Sequence, residues 1–202
     1  MRRAIGNFFL VSVLVLAVAA FATTAVRALL YAPETEVPVP MLAQPEQSAL
    51  ADPTSNPQRL RIPAIDVDAA VQYVGVNAAG NMAAPSNFKD VAWYKYGPVP
   101  GASGSSVIAG HLNNGLGLDG VFADLKNLEA GDEIMVTRED GSEARFVVTE
   151  KRVYPYDEVP GDIVFNPAGP ARLNLITCAG KWIKNLKTYN ERLIVFAELA
   201  DS

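Results

Sequence analysis

The chain holds one histidine and one cysteine, and each closes a strand-like run. His111 ends Ser105-Ser106-Val107-Ile108-Ala109-Gly110-His111, and Cys178 ends Leu173-Asn174-Leu175-Ile176-Thr177-Cys178. A third run opens on a cation, Arg192-Leu193-Ile194-Val195-Phe196-Ala197. A thiol becomes a strong nucleophile as its thiolate. An imidazole can take that proton or return one to a leaving amine. A guanidinium keeps its charge at every working pH and presents fixed donors to an oxyanion or a carbonyl. Together the three residue types suggest acyl transfer through a cysteine. Singly, each has a plainer reading: a buried inert cysteine, a hydrogen-bonded surface histidine, a solvent-facing arginine. His111 and Cys178 lie 67 residues apart, so only tertiary structure can join them. One His and one Cys are too few soft ligands for a metal site, and no cofactor is expected.

The neighbours of these residues supply candidate substrate contacts. Thr177 precedes the thiol, and strand alternation sends its side chain to the opposite face, leaving its backbone beside the site. Ala179 to Asn190 reads as a long loop joining the Cys and Arg runs. It carries Trp182, Tyr189 and the lysines Lys181, Lys184 and Lys187. A loop beside a nucleophile often selects substrate, although its charges also suit simple solvation. Thr177, Trp182 and Tyr189 are therefore the expected substrate-binding residues. Trp93 and Tyr94 read as core aromatics.

The elements that must position these residues are mostly β. Runs rich in Val, Ile, Tyr, Phe and Thr recur between turn residues. They are Leu60–Ile62, Ala70–Val74, Asn81–Ala83, Val91–Tyr94, Ser105–His111, Glu133–Arg138, Ala144–Tyr154, Leu173–Cys178 and Arg192–Leu199. Asp140-Gly141 between two such runs is a hairpin signal. Val121 to Leu128 has helical spacing at Phe122, Leu125 and Leu128, and Tyr156 to Asp162 suits a single turn. With no βαβ alternation and many strands to protect at their edges, the expectation is a closed β-barrel with short helices.

Two segments precede that domain. Arg2 and Arg3 lead into an apolar run from Phe8 to Val26, broken only by Ser12, Thr23 and Thr24. As a helix it would be about 28 Å long, near the thickness of a hydrocarbon core. Its basic flank favours the remainder of the chain outside the cytoplasm. Ala20-Phe21-Ala22 also resembles a signal-peptide cleavage site, so residues 1–31 read as an anchor or a cleaved leader. Residues 32–58 read as a linker, with six of the fourteen prolines and four acids. Such chain favours extended structure without a core, and nothing in it suggests chemistry or a lid. The formal charge of −5 and the lack of a Lys/Arg run exclude a nucleic-acid partner.

The motifs resemble those of the sortases, membrane-anchored cysteine transpeptidases. The family's Thr-Leu-x-Thr-Cys signature corresponds to Asn174-Leu175-Ile176-Thr177-Cys178, departing at Asn174. Ala109-Gly110-His111 and Arg192-Leu193-Ile194-Val195 are similar to the family's histidine and arginine strands, and the order agrees. Ala92-Trp93-Tyr94 through Gly97-Pro98-Val99-Pro100-Gly101 resembles the class E and F members. The resemblance implies an eight-stranded barrel over 59–202 behind one transmembrane helix. It implies Cys178 as nucleophile, His111 as general acid/base and Arg192 as oxyanion or substrate clamp. The implied substrates are secreted proteins bearing a Leu-Pro-x-Thr-Gly-like sorting signal, transferred to a peptidoglycan amine. Some members need calcium, but no acidic cluster here argues for it. A thiol hydrolase without amine transfer, or an inert tethered binding module, are the other readings.

Overall fold

The computed structural model of the chain describes residues 12–24, 26, 37–40 and 55–200. Eight strands close into a barrel: β1 (Pro57–Ile62), β2 (Val67–Val74), β3 (Val91–Tyr94), β4 (Gly104–Gly110), β5 (Glu133–Arg138), β6 (Glu143–Pro155), β7 (Ala171–Ile183) and β8 (Thr188–Leu199). Their order around the barrel is β1-β2-β3-β4-β7-β8-β6-β5, with β5 returning to β1. Most neighbours are antiparallel, but β2–β3 and β4–β7 are parallel. The expected Asp140-Gly141 hairpin joins β5 to β6, with Gly141 at φ 81°.

Burial explains which strands carry unbroken apolar sequence. β6 is alternately buried and exposed over its first half, as one solvated face requires. Every residue of β4 is buried, as are Leu173–Cys178 of β7 and Arg192–Ala197 of β8. These three adjacent strands are covered on both faces. Ile108, Leu173, Leu175, Leu193, Val195 and Ala197 fill the barrel interior with Trp93, Phe122 and Phe146. Val107, Ala109, Ile176, Ile194 and Phe196 belong to a second cluster on the outer face, with Tyr94, Val164 and Phe165.

Several local expectations are corrected. Asn81–Ala83 makes only isolated bridges rather than a strand, through Asn81 and Met82. Val121–Leu128 is a run of turns ending in a 3-10 turn at Leu125–Asn127, although Phe122, Leu125 and Leu128 are fully buried. Their spacing reported burial, but the segment closes bonds three residues apart, Ala123 to Gly120, Leu125 to Phe122 and Leu128 to Leu125, as successive tight turns in place of a regular helix. The single turn expected at Tyr156–Asp162 is divided between a turn at Tyr156–Asp157 and a helix at Gly161–Val164. Ala179–Asn190 is not a long loop. β7 and β8 continue through it as a hairpin, leaving four turn residues, 184–187. The linker is not wholly core-free either, because Val37 and Val39 are buried in the outer cluster. Residues 12–24 are helical. No helix among the described residues is long and apolar enough to cross a membrane, and the flanks of the expected span lie outside them.

Tyr94 anchors the outer cluster, fully buried and edge-on to Phe165 at 5.3 Å between ring centroids. Burial, with a smaller contribution from Tyr96, pushes its phenol up to about 12. The fold thus favours the neutral phenol. That contribution is intact below the ordinary phenol value of about 10 and is lost as pH rises toward 12. Tyr94→Phe is expected to flatten this part of the pH–stability curve, as read from urea midpoints at successive pH values.

Candidate active site

The outer face of β4, β7 and β8 carries side chains in successive rows set by strand register. Val107 lies level with Asn174, and Asn174 with Phe196. Ala109 lies level with Ile176, and Ile176 with Ile194. Cys178 pairs with Arg192 in the next row. β4 ends at Gly110, and continuing its parallel register by two residues sets His111 level with Cys178. The two-residue period of strands puts all three rows on one face. A single tertiary arrangement therefore brings the three chemically competent residues into one row.

The backbone of His111 is fixed from several sides. Its carbonyl accepts a bond from the Phe122 N–H at 3.0 Å. Glycine is required on both flanks of this contact. A Cβ on Gly110 would sit 2.5 Å from the Phe122 ring, and one on Gly120 2.2 Å from the His111 carbonyl oxygen. The imidazole is buried, with Nε2 2.9 Å from the carbonyl oxygen of Pro85. A carbonyl only accepts, so Nε2 carries a proton, and Nδ1 is the nitrogen that gains or loses one.

Arg192 is the largest fully buried side chain among the described residues. Nη1 donates to the carbonyls of Tyr189 and Glu191, and Nη2 to Thr188 Oγ1, all at 2.9 Å. The Tyr156 ring centroid lies 5.8 Å from Cζ. No ion pair to a carboxylate is found for it among the described residues, and Nε is buried without a hydrogen-bond partner. Burying a cation without a counter-charge is costly. An anionic or carbonyl oxygen arriving from outside would satisfy it. Cys178, its partner across the sheet, is 3% exposed.

The remaining expected site residues divide. Thr177 pairs with Leu193 on the interior face, and its hydroxyl oxygen is buried without a hydrogen-bond partner. Its side chain is out of reach of a ligand on the outer face. Trp182 and Tyr189 face each other across the hairpin, edge to face at 5.3 Å, and Trp182 is 39% exposed. Tyr189 has a structural duty as well. Its hydroxyl accepts from Asn113 Nδ2 at 2.6 Å, tying the segment after His111 to the hairpin that carries Arg192. Sequence reasoning missed Asn113, Tyr156 and Thr188. Thr188 alone left a signal, lying four residues before Arg192 and so on the same strand face. Asn174 Nδ2 donates to the Val164 carbonyl at 2.7 Å and holds the short helix against the sheet.

The sortase domain family matches residues 60–200, most of the chain. The chain belongs to the sortase family. It is thus a cysteine transpeptidase, and its barrel is the sortase fold. It resembles sortase A of Listeria monocytogenes (24% identity, 71% of this chain and 86% of that one, TM-score 0.52). It also resembles sortase A of Corynebacterium diphtheriae (22%, 71% and 60%, TM-score 0.53). A third likeness is the pilus-related sortase C of Group B Streptococcus (16%, 73% and 69%, TM-score 0.55). These likenesses concern the fold. No curated protein matches the chain.

Two outcomes follow for this sortase. Asn174→Thr restores the family's usual residue but is too short to reach Val164. It is expected to cost about 1–3 kcal/mol, a fall of roughly 3–10 °C in Tm by calorimetry. Thr188→Val removes the acceptor of Arg192 Nη2 while keeping the shape. It is expected to lower kcat roughly tenfold with KM within about twofold, since hydrogen bonds to charged groups are worth about 1.5–3 kcal/mol. Thr188→Ser is expected to recover most of the rate.

Proposed function

We propose that this chain cleaves a Leu-Pro-x-Thr-Gly-like sorting signal through a Cys178 thioacyl intermediate and transfers the acyl group to a cell-wall amine. The row of His111, Cys178 and Arg192 carries this reading. The Cys178 thiolate attacks the threonine carbonyl carbon, and the carbonyl π pair moves onto oxygen. The unpartnered Nε–H of the buried Arg192 is suited to that oxygen. Collapse of the tetrahedral adduct breaks the Thr–Gly C–N bond as His111 gives a proton to the departing amine. A second amine then attacks the thioester, His111 takes up its proton, and the thiolate is released.

The clients are secreted proteins bearing the signal, and the acceptor is a peptidoglycan-precursor amine. Residues 1–31 are assigned as a single-pass membrane segment, 32–58 as a linker and 59–202 as an extracytoplasmic catalytic domain of the class E/F type. In support, the helical residues 12–24 leave Leu14, Leu16 and Phe21 65–76% exposed, an apolar surface suited to lipid. Trp182 and Tyr189 are assigned to the substrate wall, with Thr177 contributing only backbone. A buried arginine whose Nε–H lacks a partner favours an active enzyme over an inert binding module, because a substrate oxygen would satisfy that donor.

The test uses wild type and Cys178→Ala with a library of Leu-Pro-x-Thr-x peptides and mixed amines, read by mass spectrometry. Cleavage after threonine with amine-capped product, abolished in Cys178→Ala, is the expected result. Water-capped product at every amine concentration would identify a hydrolase, and cleavage by Cys178→Ala would overturn the mechanism.

A further inference from the structure

The Pro85 carbonyl decides which imidazole nitrogen of His111 keeps its proton, yet the stretch that carries it has no regular structure. Residues 83–90, between β2 and β3, are coil and bends. The peptide unit joining Pro85 to Ser86 is planar and trans, so its C=O and N–H point in opposite directions. One end meets His111 Nε2 at 2.9 Å. At the other end the Ser86 N–H donates to Gln72 Oε1 at 2.9 Å, and Ser86 Oγ donates to the same oxygen at 3.0 Å. Holding the N–H on Gln72 therefore aims the carbonyl at the imidazole.

Gln72 sits on β2, level with Ala92 of β3. Its amide could fit either way round, and Asp90 decides between them. Nε2 donates to Asp90 Oδ2 at 2.8 Å. An ionised carboxylate has no donor, so the flipped amide would set Oε1 against a carboxylate oxygen and Nε2 against the Ser86 N–H. The same Asp90 oxygen accepts from Asn87 Nδ2 at 2.7 Å, and Asn87 Oδ1 accepts from the Asp90 N–H at 2.8 Å. The loop is thus clipped to β2 through one side chain. On its other flank the Phe88 carbonyl accepts from the Val121 N–H at 2.8 Å, next to Phe122, whose N–H meets the His111 carbonyl.

We infer that Gln72 is a positioning residue for His111: it fixes the Pro85–Ser86 peptide so that the imidazole stays protonated at Nε2 and keeps Nδ1 for proton transfer, with Asp90 fixing the Gln72 amide in turn. The inference rests on the proposed mechanism for the task given to His111. Gln72 acts through one peptide group rather than on the reacting atoms. Were that peptide to turn, the buried ring would lose the acceptor of its Nε2–H, and its proton would be shared between the two nitrogens. A neutral ring protonated at Nδ1 cannot take up a proton there.

The tautomer itself can be read. His111 is the one histidine of the chain, so labelling histidine with nitrogen-15 yields the two ring signals of a single residue. The full chain in detergent micelles, without peptide, is compared by NMR with Gln72→Met, at a pH well above the ordinary imidazole value of about 6.5. Wild type is expected to be mainly the Nε2–H form. Gln72→Met, checked for an intact barrel by thermal melt, is expected to hold a roughly threefold larger share of the Nδ1–H form. Its kcat on a Leu-Pro-Ala-Thr-Gly peptide is expected to fall roughly tenfold with KM within about twofold. Asp90→Leu alters the loop rather than a strand and is expected to move both readings the same way. Asp90→Asn keeps an oxygen that can accept both bonds, and is expected to retain the wild-type tautomer and about a third or more of the rate. A wild-type ring protonated mainly at Nδ1 overturns the proposal. So does a tautomer ratio unchanged in Gln72→Met and Asp90→Leu, whatever their rates, or a shift in Asp90→Asn equal to that in Asp90→Leu. The tautomer arm uses no peptide, so absence of cleavage by wild type counts against the sorting-signal reading instead.

Discussion

The arrangement turns on one seam of the barrel, where β7 runs parallel to β4 on one side and antiparallel to β8 on the other. Residues far apart in sequence are put in register there by backbone hydrogen bonds rather than by contacts among themselves. Slipping either pairing by one residue would move a side chain of the row to the opposite face. The apolar rows next to it hold the register against such a slip. Ile108, Leu175 and Val195 must meet inside the barrel, while Ala109, Ile176 and Ile194 must meet outside it. The chemical row inherits its geometry from these hydrophobic ones.

Around that seam the structure fixes each polar group through atoms that do not belong to the chemistry. A proline carbonyl sets the histidine tautomer, and the end of the hairpin holds one edge of the guanidinium. The Asn113–Tyr189 bond then couples the two supports. Placement by a backbone scaffold leaves less to be ordered when substrate arrives, which is how enzymes offset the entropy of alignment. The same support leaves Arg192 Nε buried without a partner. Local stability has been given up where charge develops during acyl transfer.

Much of this was legible in the residues. The limits of β3 and β5 agree with their apolar runs, and the Asp-Gly turn falls where its φ demands. His111 and Cys178 stood out by rarity, and all three of His111, Cys178 and Arg192 by their positions at the ends of strand runs. What could not be read was contact made by backbone. Nothing in the type of Pro85 announces that its carbonyl will meet an imidazole. The β7–β8 hairpin was hidden because its tip is rich in Lys and Asn, which resembles loop, while cross-strand pairing of Trp182 with Tyr189 overrides that propensity. The burial of Val37 and Val39 was hidden for a related reason. Proline and acidic residues set the reading there, and two valines weigh little in an average although both are buried in the outer cluster.

The parallel seam also has a bearing on how the chain reaches this state. Parallel neighbours cannot be joined by a tight turn, so β4 and β7 meet only after some sixty intervening residues have been threaded around the barrel. Non-local pairing of this kind is slow relative to hairpin formation. Until it happens, the sulfur of Cys178 has neither its histidine neighbour nor a cover, and small thiols and disulfides can reach it. Once the seam closes, only 3% of the residue remains accessible. Maturation and protection of the nucleophile are therefore one event, and the redox vulnerability of this protein belongs to its time as a nascent chain.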